Sequence, residues 1–265
     1  MFQKILIFRN LIDNIPKNIG LYMIGVLLLV ANHFSIDYVK ITSGLIVFLV
    51  SYSSIYIMND LFDIDEDMIT EDKVSRKPIA QGIVTKNEAC LIFVILLAIG
   101  ITLSFLLNSI FFVVICALVF INILYSVPPM RLKHSLFGLP LVLIMQILKI
   151  LLPWTISLDL NHFPTLFVLS FSIIYLIIFV GYKQNRTIGA SIKEEPGLVV
   201  ISILVLISSI SLHSSPVLQV SIMCYLFAGI IYFRDVHLTD AKIIRQSPIY
   251  VFLGVILLVY LIVYV

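Results

Sequence analysis

Apolar runs, each about as long as a bilayer is thick, dominate this chain of 265 residues. A transmembrane helix needs roughly 20 mostly apolar residues, with tolerance at both ends. Only 12% of the residues are charged, whereas soluble domains carry about a quarter, so a water-soluble globular fold is excluded. We therefore predict an all-α integral membrane protein with nine transmembrane helices. The nine runs cover approximately residues 19–34, 41–58, 89–107, 110–125, 139–157, 166–182, 198–212, 217–233 and 249–265.

Basic residues are distributed unequally between the two sets of loops. If nine helices alternate across the membrane, fifteen of the seventeen Lys and Arg residues fall on the side of the N-terminus. The exceptions are Lys40, on the opposite side, and Lys149, inside the fifth run. Because cytoplasmic loops carry an excess of Lys and Arg, we predict that the N-terminus and these long loops are cytoplasmic. The net charge is only +2, so no overall positive field indicates binding to nucleic acid.

The segment before the first run is amphipathic. Apolar residues such as Phe2, Leu6 and Leu11 alternate with Lys4 at a roughly helical period. We predict that residues 1–18 form an interfacial helix. Anchoring at the membrane surface is the favoured role of this helix, and recruitment of a lipid is the alternative.

A cluster of carboxylates follows the second run in the pattern N-D-x-x-D-x-x-x-D. On a helix, the offsets of three and seven residues place Asp60, Asp63 and Asp67 on one face, where like charges repel unless cations lie between them. Mg2+ prefers one or two carboxylates together with phosphate oxygens, so the cluster indicates a metal-bridged diphosphate site. Asp65 and Glu66 are predicted either to be solvated or to contact the metal ligands without binding the metal themselves. The alternative is an acidic helix end that faces water, against which the position at the membrane edge argues.

Two motifs resemble those of a known enzyme family. The first is Tyr56-x-x-Asn59-Asp60-x-x-Asp63-x-x-x-Asp67, followed by Lys73, Arg76, Lys77, Pro78 and Gly82. The second is Tyr125-Ser126-x-Pro128-Pro129-x-Arg131-Leu132-Lys133. Both are similar to segments of the UbiA superfamily of intramembrane prenyltransferases. The resemblance implies one domain over residues 1–265, with nine helices in two related four-helix halves around a central cavity and a cytoplasmic cap formed by loops 59–88 and 183–197.

The resemblance also implies roles for the first motif. Asp60, Asp63 and Asp67 would bind Mg2+, and Asn59 would help to hold the metal against a diphosphate substrate. Asp60 and Asp63 would act in catalysis, because the leaving diphosphate needs its charge neutralised as the C–O bond breaks.

By the same resemblance, basic side chains would bind phosphate oxygens. Lys133 would act in catalysis, and either Arg76 or Lys77 would bind the substrate. The alternative for all of these residues is that their charge only sets membrane orientation. We favour that alternative for Arg131 and for whichever of Arg76 and Lys77 is not in the site.

Aromatic residues near helix ends are further candidates. Tyr56, Tyr125 and Trp154 would shield a cation-like reaction centre through cation–π contacts. Anchoring at the membrane interface is the alternative for such tyrosines.

The second half of the chain lacks a matching carboxylate motif. The segment beginning at Ser51 recurs in similar form at Ser170, and this register aligns the aspartates of the first motif with Phe179, Tyr182 and Arg186. We therefore predict that Tyr182, Lys183 and Arg186 bind substrate. Cations without a metal suit a phosphate monoester or another anionic acceptor. The polyprenyl-phosphate phosphoribosyltransferases of the superfamily are similar in this respect.

Lys149 lies inside the fifth apolar run. A charged residue within a membrane span usually marks a functional site, so we predict that Lys149 contacts substrate. A structural pairing with Asp159 is the alternative.

Together these features predict a Mg2+-dependent transferase that moves a polyprenyl group from a diphosphate donor to an acceptor with loss of pyrophosphate. Its partners would be an isoprenoid lipid, the diphosphate-bearing donor and the bilayer. Phosphoribosyl transfer from a sugar diphosphate to a polyprenyl phosphate is the first alternative. A non-catalytic transporter or scaffold with the same fold is the second, and the sequence leaves the acceptor, the tail length and the oligomeric state open.

Overall fold

The computed structural model describes residues 7–31, 37–69, 74, 77–158, 160–184, 186–212, 216–232 and 234–235, and their regular structure is almost entirely helical. A short 3-10 helix, Leu132–His134, lies between the fifth and sixth α-helices. The α-helices are α1 (Ile7–Ala31), α2 (Tyr38–Phe62), α3 (Ile64–Asp67), α4 (Lys86–Leu107), α5 (Ser109–Ser126), α6 (Gly138–Ser157), α7 (Thr165–Lys183), α8 (Ile188–Glu194), α9 (Pro196–Leu212) and α10 (Pro216–Tyr232).

Helices occupy the predicted apolar runs that fall within the described residues. Eight of the nine runs coincide with α1, α2, α4, α5, α6, α7, α9 and α10. The ninth run, residues 249–265, lies outside the described residues. Within the described part of the chain, α2, α4, α5 and α6 are long and apolar enough to cross a membrane. The chain is therefore an all-helical, multi-pass membrane protein.

The surfaces of α4 and α5 are those expected of helices in contact with lipid. Leu91, Phe105 and Leu106 on α4 are largely exposed, as are Val113 and Phe120 on α5. Contiguous apolar surface of this kind is unfavourable in water and marks contact with a membrane or a partner.

The first helix differs from the predicted division into an interfacial segment and a separate span. α1 runs without interruption from Ile7 to Ala31 and contains Pro16. Residues 1–6 lie outside the described residues. The membrane-surface position of residues 1–18 stays a prediction.

The chain divides into two compact units, of which the first comprises Met1–Ile19 and Asp37–Leu141. Within this unit α2 packs closely along α4. A Cβ atom added at Gly100 of α4 would lie 2.3 Å from the Ser51 Oγ and 2.9 Å from the Ser51 Cα of α2. Only glycine permits so close an approach, which is how small residues let membrane helices pack.

The second unit comprises Gly20–Ile36 and Val142–Val265. Here the Ser170 hydroxyl of α7 donates a hydrogen bond to the Ser202 carbonyl of α9 at 2.8 Å, and the Ser202 hydroxyl donates to the Ser170 carbonyl at 3.0 Å. Hydrogen bonds between buried hydroxyl and carbonyl groups hold membrane helices together. The indole N–H of Trp154 likewise joins α6 to α1 by donating to the Gly25 carbonyl at 3.0 Å.

Candidate active site

The carboxylates of the first motif lie where α2 ends. α2 ends at Phe62, and Asp63 leaves helical geometry with φ −103° and ψ 7° before α3 begins at Ile64. The backbone hydrogen bonds continue across this break, because the Asp63 N–H donates to the Asn59 carbonyl at 2.9 Å. The three aspartates therefore do not lie on one unbroken helix, since Asp67 belongs to a second, short helix, but Asp60 and Asp67 still contact the same side chain, that of Lys77. The sequence spacing of the aspartates did not show the break at Asp63.

A compact turn after the first motif brings Lys77 to the end of α2. The N–H of Val84 donates to the Pro78 carbonyl at 3.3 Å, and Gly82 has a φ of +72°, which glycine adopts at little cost. Val84 is buried against Ile57 of α2. This apolar contact fixes the turn, and Lys77 with it, beside the aspartates.

α4 begins directly after this turn with a capping box. The Thr85 Oγ1 accepts a hydrogen bond from the Glu88 N–H at 3.2 Å, and the Thr85 N–H donates to the Glu88 Oε2 at 3.0 Å. Such a cap contributes about 1 kcal/mol to helix stability. It sets the boundary between the polar turn and the membrane helix.

Lys77 joins two of the aspartates. Its Nζ lies 3.0 Å from the Asp60 Oδ1 and 2.5 Å from the Asp67 Oδ2. Burial raises the pKa of Asp67 despite the hydrogen bond and charge of Lys77, and the charges of Asp60 and Asp63 add to the rise. Burial lowers the pKa of Lys77, but the charges of Asp60 and Asp67 outweigh it and raise the pKa overall. Two crowded carboxylates therefore share one ammonium group.

The second motif contacts the same helix end from the other side. The Pro128–Pro129 peptide bond is cis, and Arg131 adopts the left-handed conformation with φ 36° and ψ 51°. For a residue other than glycine this conformation costs roughly 1–2 kcal/mol. The Arg131 Nη2 donates to the Phe62 carbonyl at 3.0 Å and to the Asp63 Oδ1 at 3.1 Å. The same nitrogen lies 2.8 Å from the Glu66 Oε1.

Arg131 is therefore more than a determinant of membrane orientation. Its guanidinium contacts a free carbonyl at the end of α2, where a positive charge is favourable, and two carboxylates beyond it. These contacts correct the prediction that the charge of Arg131 only sets the orientation of the chain in the membrane. The sequence signal for this placement of Arg131 was its position in the second motif, two residues before Lys133.

Lys133 and His134 complete the cluster. The Lys133 Nζ lies 2.6 Å from the Asp63 Oδ1 and 2.7 Å from the Glu66 Oε2. The His134 Nε2 lies 3.0 Å from the Glu66 Oε1. Partial burial opposes ionisation of Glu66, but the hydrogen bond and charge of Lys133 and the charges of Arg131 and His134 outweigh it and lower its pKa. Glu66 is thus a member of the cluster, which agrees with the predicted supporting role, although its side chain remains partly exposed.

The donor atoms of this cluster fit a metal ion that also binds phosphate. Within the described residues, no group of three acidic, His or Cys side chains is arranged to hold an ion, because cationic side chains lie between the carboxylates. Mg2+ needs only one or two carboxylates when phosphate supplies further oxygens. Asp60 and Asp67 already share one cation. The Asn59 Oδ1 is buried and has no hydrogen-bond partner among the described residues, so it is an unused oxygen beside them.

Three predicted substrate-binding residues lie in the sequence around the end of α7, in the second unit. The Lys183 Nζ lies 5.2 Å from the centre of the Phe179 ring, a cation–π distance. Arg186 forms an ion pair with Glu194 of α8. An anion that binds to Arg186 therefore competes with an internal carboxylate. Tyr182 lies in α7, but its side chain is outside the description.

The remaining predicted residues are placed as follows. Lys149 is 1% exposed within α6, in the second unit. Tyr125 is partly buried near the end of α5, in the first unit. Arg76 and Asp159 lie outside the described residues. Trp154 is fully buried and makes the hydrogen bond to Gly25 described above, so it does not line an open cavity.

The fold of this chain is similar to that of a UbiA homolog from Archaeoglobus fulgidus. The structure of that protein bound to DMAPP and Mg2+ has a TM-score of 0.71 at 14% sequence identity, covering 98% of this chain and 99% of that chain. The structure bound to GPP and Mg2+ has the same TM-score at 15% identity, covering 99% of this chain and 100% of that chain. No curated protein sequence matches this chain.

The sequence itself gives independent support. A profile of the UbiA prenyltransferase family matches residues 19–265, which is nearly the whole chain. The resemblance inferred from the two motifs is thereby confirmed over a region that contains both of them. The chain belongs to the UbiA prenyltransferase family.

Proposed function

We propose that this chain catalyses the Mg2+-dependent transfer of a prenyl group from an isoprenyl diphosphate to an acceptor, with release of pyrophosphate. The observation that carries this proposal is the first-unit cluster, in which the three aspartates of the first motif alternate with Lys77, Arg131 and Lys133 at ion-pair distances. DMAPP and GPP, which the similar protein from Archaeoglobus fulgidus binds with Mg2+, are both donors of this class.

The transfer exchanges one bond at the prenyl carbon for another. The C–O bond to the diphosphate breaks, and its electron pair leaves with pyrophosphate. A nucleophilic atom of the acceptor forms the new bond to that carbon and releases its proton to solvent. The energetic problem is the negative charge that grows on the leaving oxygen, so fixed positive charge at that point lowers the barrier.

The residues of the first motif hold the metal in this proposal. Asp60, Asp63 and Asp67 supply carboxylate oxygens, and the unpartnered Asn59 Oδ1 supplies an amide oxygen. Bound Mg2+ would neutralise part of the charge on the diphosphate.

The basic residues bind the phosphate oxygens directly. In this proposal the aspartates that pair with Lys77 and Lys133 would bind the metal instead, and the two ammonium groups would then be available to the diphosphate. The ammonium groups of Lys77 and Lys133 therefore already lie in the site before the substrate binds. Arg76, next to Lys77 in the sequence, is a further candidate ligand.

Further substrate contacts are proposed for residues outside this cluster. Tyr125, near the end of the helix that leads into the second motif, is a proposed substrate-binding residue. Lys149, Tyr182, Lys183 and Arg186 are also proposed to bind substrate. The isoprenoid tail is drawn from the bilayer, which is the natural solvent for such a chain.

A second candidate reaction is phosphoribosyl transfer to a polyprenyl phosphate. The observation that favours it is the basic character of the segment at the end of α7, where Lys183 and Arg186 stand at or beside positions that the internal register pairs with the aspartates. Arg186 forms an ion pair with Glu194, so this guanidinium already holds an anionic group. A lipid phosphate would take the place of that carboxylate.

We extend the proposal to the membrane topology. The N-terminus and the cap loops, residues 59–88 and 183–197, lie on the cytoplasmic side, as the basic residues favour. Residues 1–18 lie at the membrane surface, and residues 249–265 form the ninth span. The internal repeat aligns Ser51 with Ser170. Each of these serines lies at a close helix crossing within its own unit, and this similarity supports two related halves.

Mass spectrometry of lipid products separates the two reactions. The full chain, purified in nanodiscs, is incubated with Mg2+ and either a polyprenyl diphosphate with aromatic acceptors or a polyprenyl phosphate with phosphoribosyl diphosphate. A prenylated aromatic product supports prenyl transfer. A phosphoribosylated lipid supports the second candidate, and no product from either pair argues for a non-catalytic transporter or scaffold.

A further inference from the structure

Glu66 stands outside the aspartate pattern, yet its carboxylate contacts three basic side chains. Its Oε2 lies 2.7 Å from the Lys133 Nζ. Its Oε1 lies 2.8 Å from the Arg131 Nη2 and 3.0 Å from the His134 Nε2. One carboxylate thus holds three basic residues of the second motif and its short 3-10 helix.

Lys133 contacts two carboxylates, which would respond differently when a metal binds. Asp63 lies 2.6 Å from the Lys133 Nζ. In the proposed function Asp63 is a metal ligand, so its carboxylate would bind Mg2+ instead of Lys133 when the metal is present. Glu66 is not part of the metal-binding pattern, so its ion pair with Lys133 persists. Without Glu66, Lys133 would lose both of these carboxylate contacts when the metal binds, and its flexible side chain would be held less firmly at the site.

We propose that Glu66 is a positioning residue that holds Lys133 at the diphosphate subsite while Asp63 is occupied by the metal. Glu66 also fixes Arg131, which contacts the carbonyl of Phe62 at the end of α2. This inference rests on the proposed function, because it assigns Lys133 to a diphosphate. The role is indirect, since Glu66 acts on the substrate only through the basic side chains that it holds.

Binding of inorganic pyrophosphate in the presence of Mg2+ measures this role without requiring turnover. Glu66→Gln keeps the size of the side chain but removes its charge and one acceptor oxygen. We expect pyrophosphate to bind the full-length variant in nanodiscs about tenfold more weakly, as expected for disordering a charge-assisted contact. The matched control is Asp65→Asn, because Asp65 is the exposed neighbour of Glu66 on α3. It should bind pyrophosphate as the wild type does.

A double-mutant cycle distinguishes positioning from general damage. If Glu66 acts through Lys133, Glu66→Gln should have little further effect in a chain that already carries Lys133→Met. An equal loss of pyrophosphate affinity in both backgrounds would overturn the proposal. So would wild-type affinity in the single Glu66→Gln variant.

Glu66→Asp provides the same test if Glu66→Gln does not fold. The shorter side chain keeps the charge, so we expect a weakening of about threefold that also disappears with Lys133→Met. A wild-type protein that does not bind pyrophosphate with Mg2+ would instead contradict the proposed function itself. Wild-type binding combined with unaltered binding by both Glu66 variants would contradict only the role of Glu66.

Discussion

Among the single residues of the cluster, Lys77 occupies the place for which a metal ion would compete in the proposed function. Its ammonium group lies between Asp60 and Asp67, and Asp67 is almost fully buried. Burial makes an unpaired carboxylate costly, which is why the pKa of Asp67 is raised even with Lys77 present. The cluster therefore needs a cation in this place, whether the cation is an ammonium group or a divalent metal.

Lys77→Met tests this competition. Without the ammonium group, the two carboxylates repel each other, and we expect the unfolding free energy to fall by about 1–3 kcal/mol. Added Mg2+ should restore more stability to this variant than it gives to the wild type. Thermal unfolding in detergent with and without Mg2+ measures both effects.

Lys86→Met is the matched control for that measurement. Lys86 is exposed in the first turn of α4, so its replacement should change neither the melting temperature nor the response to Mg2+. An equal Mg2+ response in Lys77→Met and the wild type would show that metal and ammonium group do not share a place.

The residues of the site were only partly predictable from the sequence. Asp60 and Asp63 follow from the motif spacing and Lys133 from the family resemblance, and the structure brings all three into one cluster. Of the two roles predicted for Glu66, the structure favours support of the site over solvation, but its three basic contacts are not signalled by the aspartate pattern. The contacts of Arg131 depend on a left-handed backbone conformation, which an arginine in the sequence does not signal.

Among the elements of the fold, the crossing of α2 and α4 sets the position of the first motif. Gly100→Ala would place a Cβ 2.3 Å from the Ser51 Oγ, and the helices would have to separate. We expect a loss of about 1–3 kcal/mol in stability, as for other overpacked sites. Thermal unfolding of the purified variant in detergent checks this.

Gly197→Ala is the control for helix packing. A Cβ at Gly197, in the first turn of α9, would meet nothing within 4 Å. Its replacement should leave the melting temperature within a degree or two of the wild type, as is usual for surface sites. If both glycine variants unfold at the same temperature, the close crossing is not what stabilises the first unit.

Helix positions followed closely from the apolar runs, whereas one helix boundary did not. The Thr85–Glu88 capping box and the Asn108 cap, whose Oδ1 accepts the Ile110 N–H at 2.7 Å, fix the starts of α4 and α5 within three residues of the predicted apolar runs. α1 is longer than its apolar run because an amphipathic helix and a membrane helix share the same period. Along α1 the residue composition changes from amphipathic to apolar, while the helical backbone continues unchanged.

For the molecule as a whole, the central prediction is its orientation in the membrane. Single cysteines at two exposed positions report it in a chain whose native cysteines are replaced by alanine. Asn87→Cys lies at the start of α4 and should react with an impermeant maleimide only from the cytoplasmic side. Asn161→Cys, between α6 and α7, should react only from the opposite side. The reverse labelling pattern would contradict the topology derived from the basic residues.

Product formation by Asp60→Asn tests the account most directly. The amide keeps the size of the side chain but removes the charge that pairs with Lys77 and would hold Mg2+. With whichever substrate pair the wild type uses, we predict that product formation falls to background while the variant remains folded by circular dichroism. Asp65→Asn should keep wild-type activity. Undiminished turnover by a folded Asp60→Asn chain would show that the first-motif cluster is not the metal and diphosphate site.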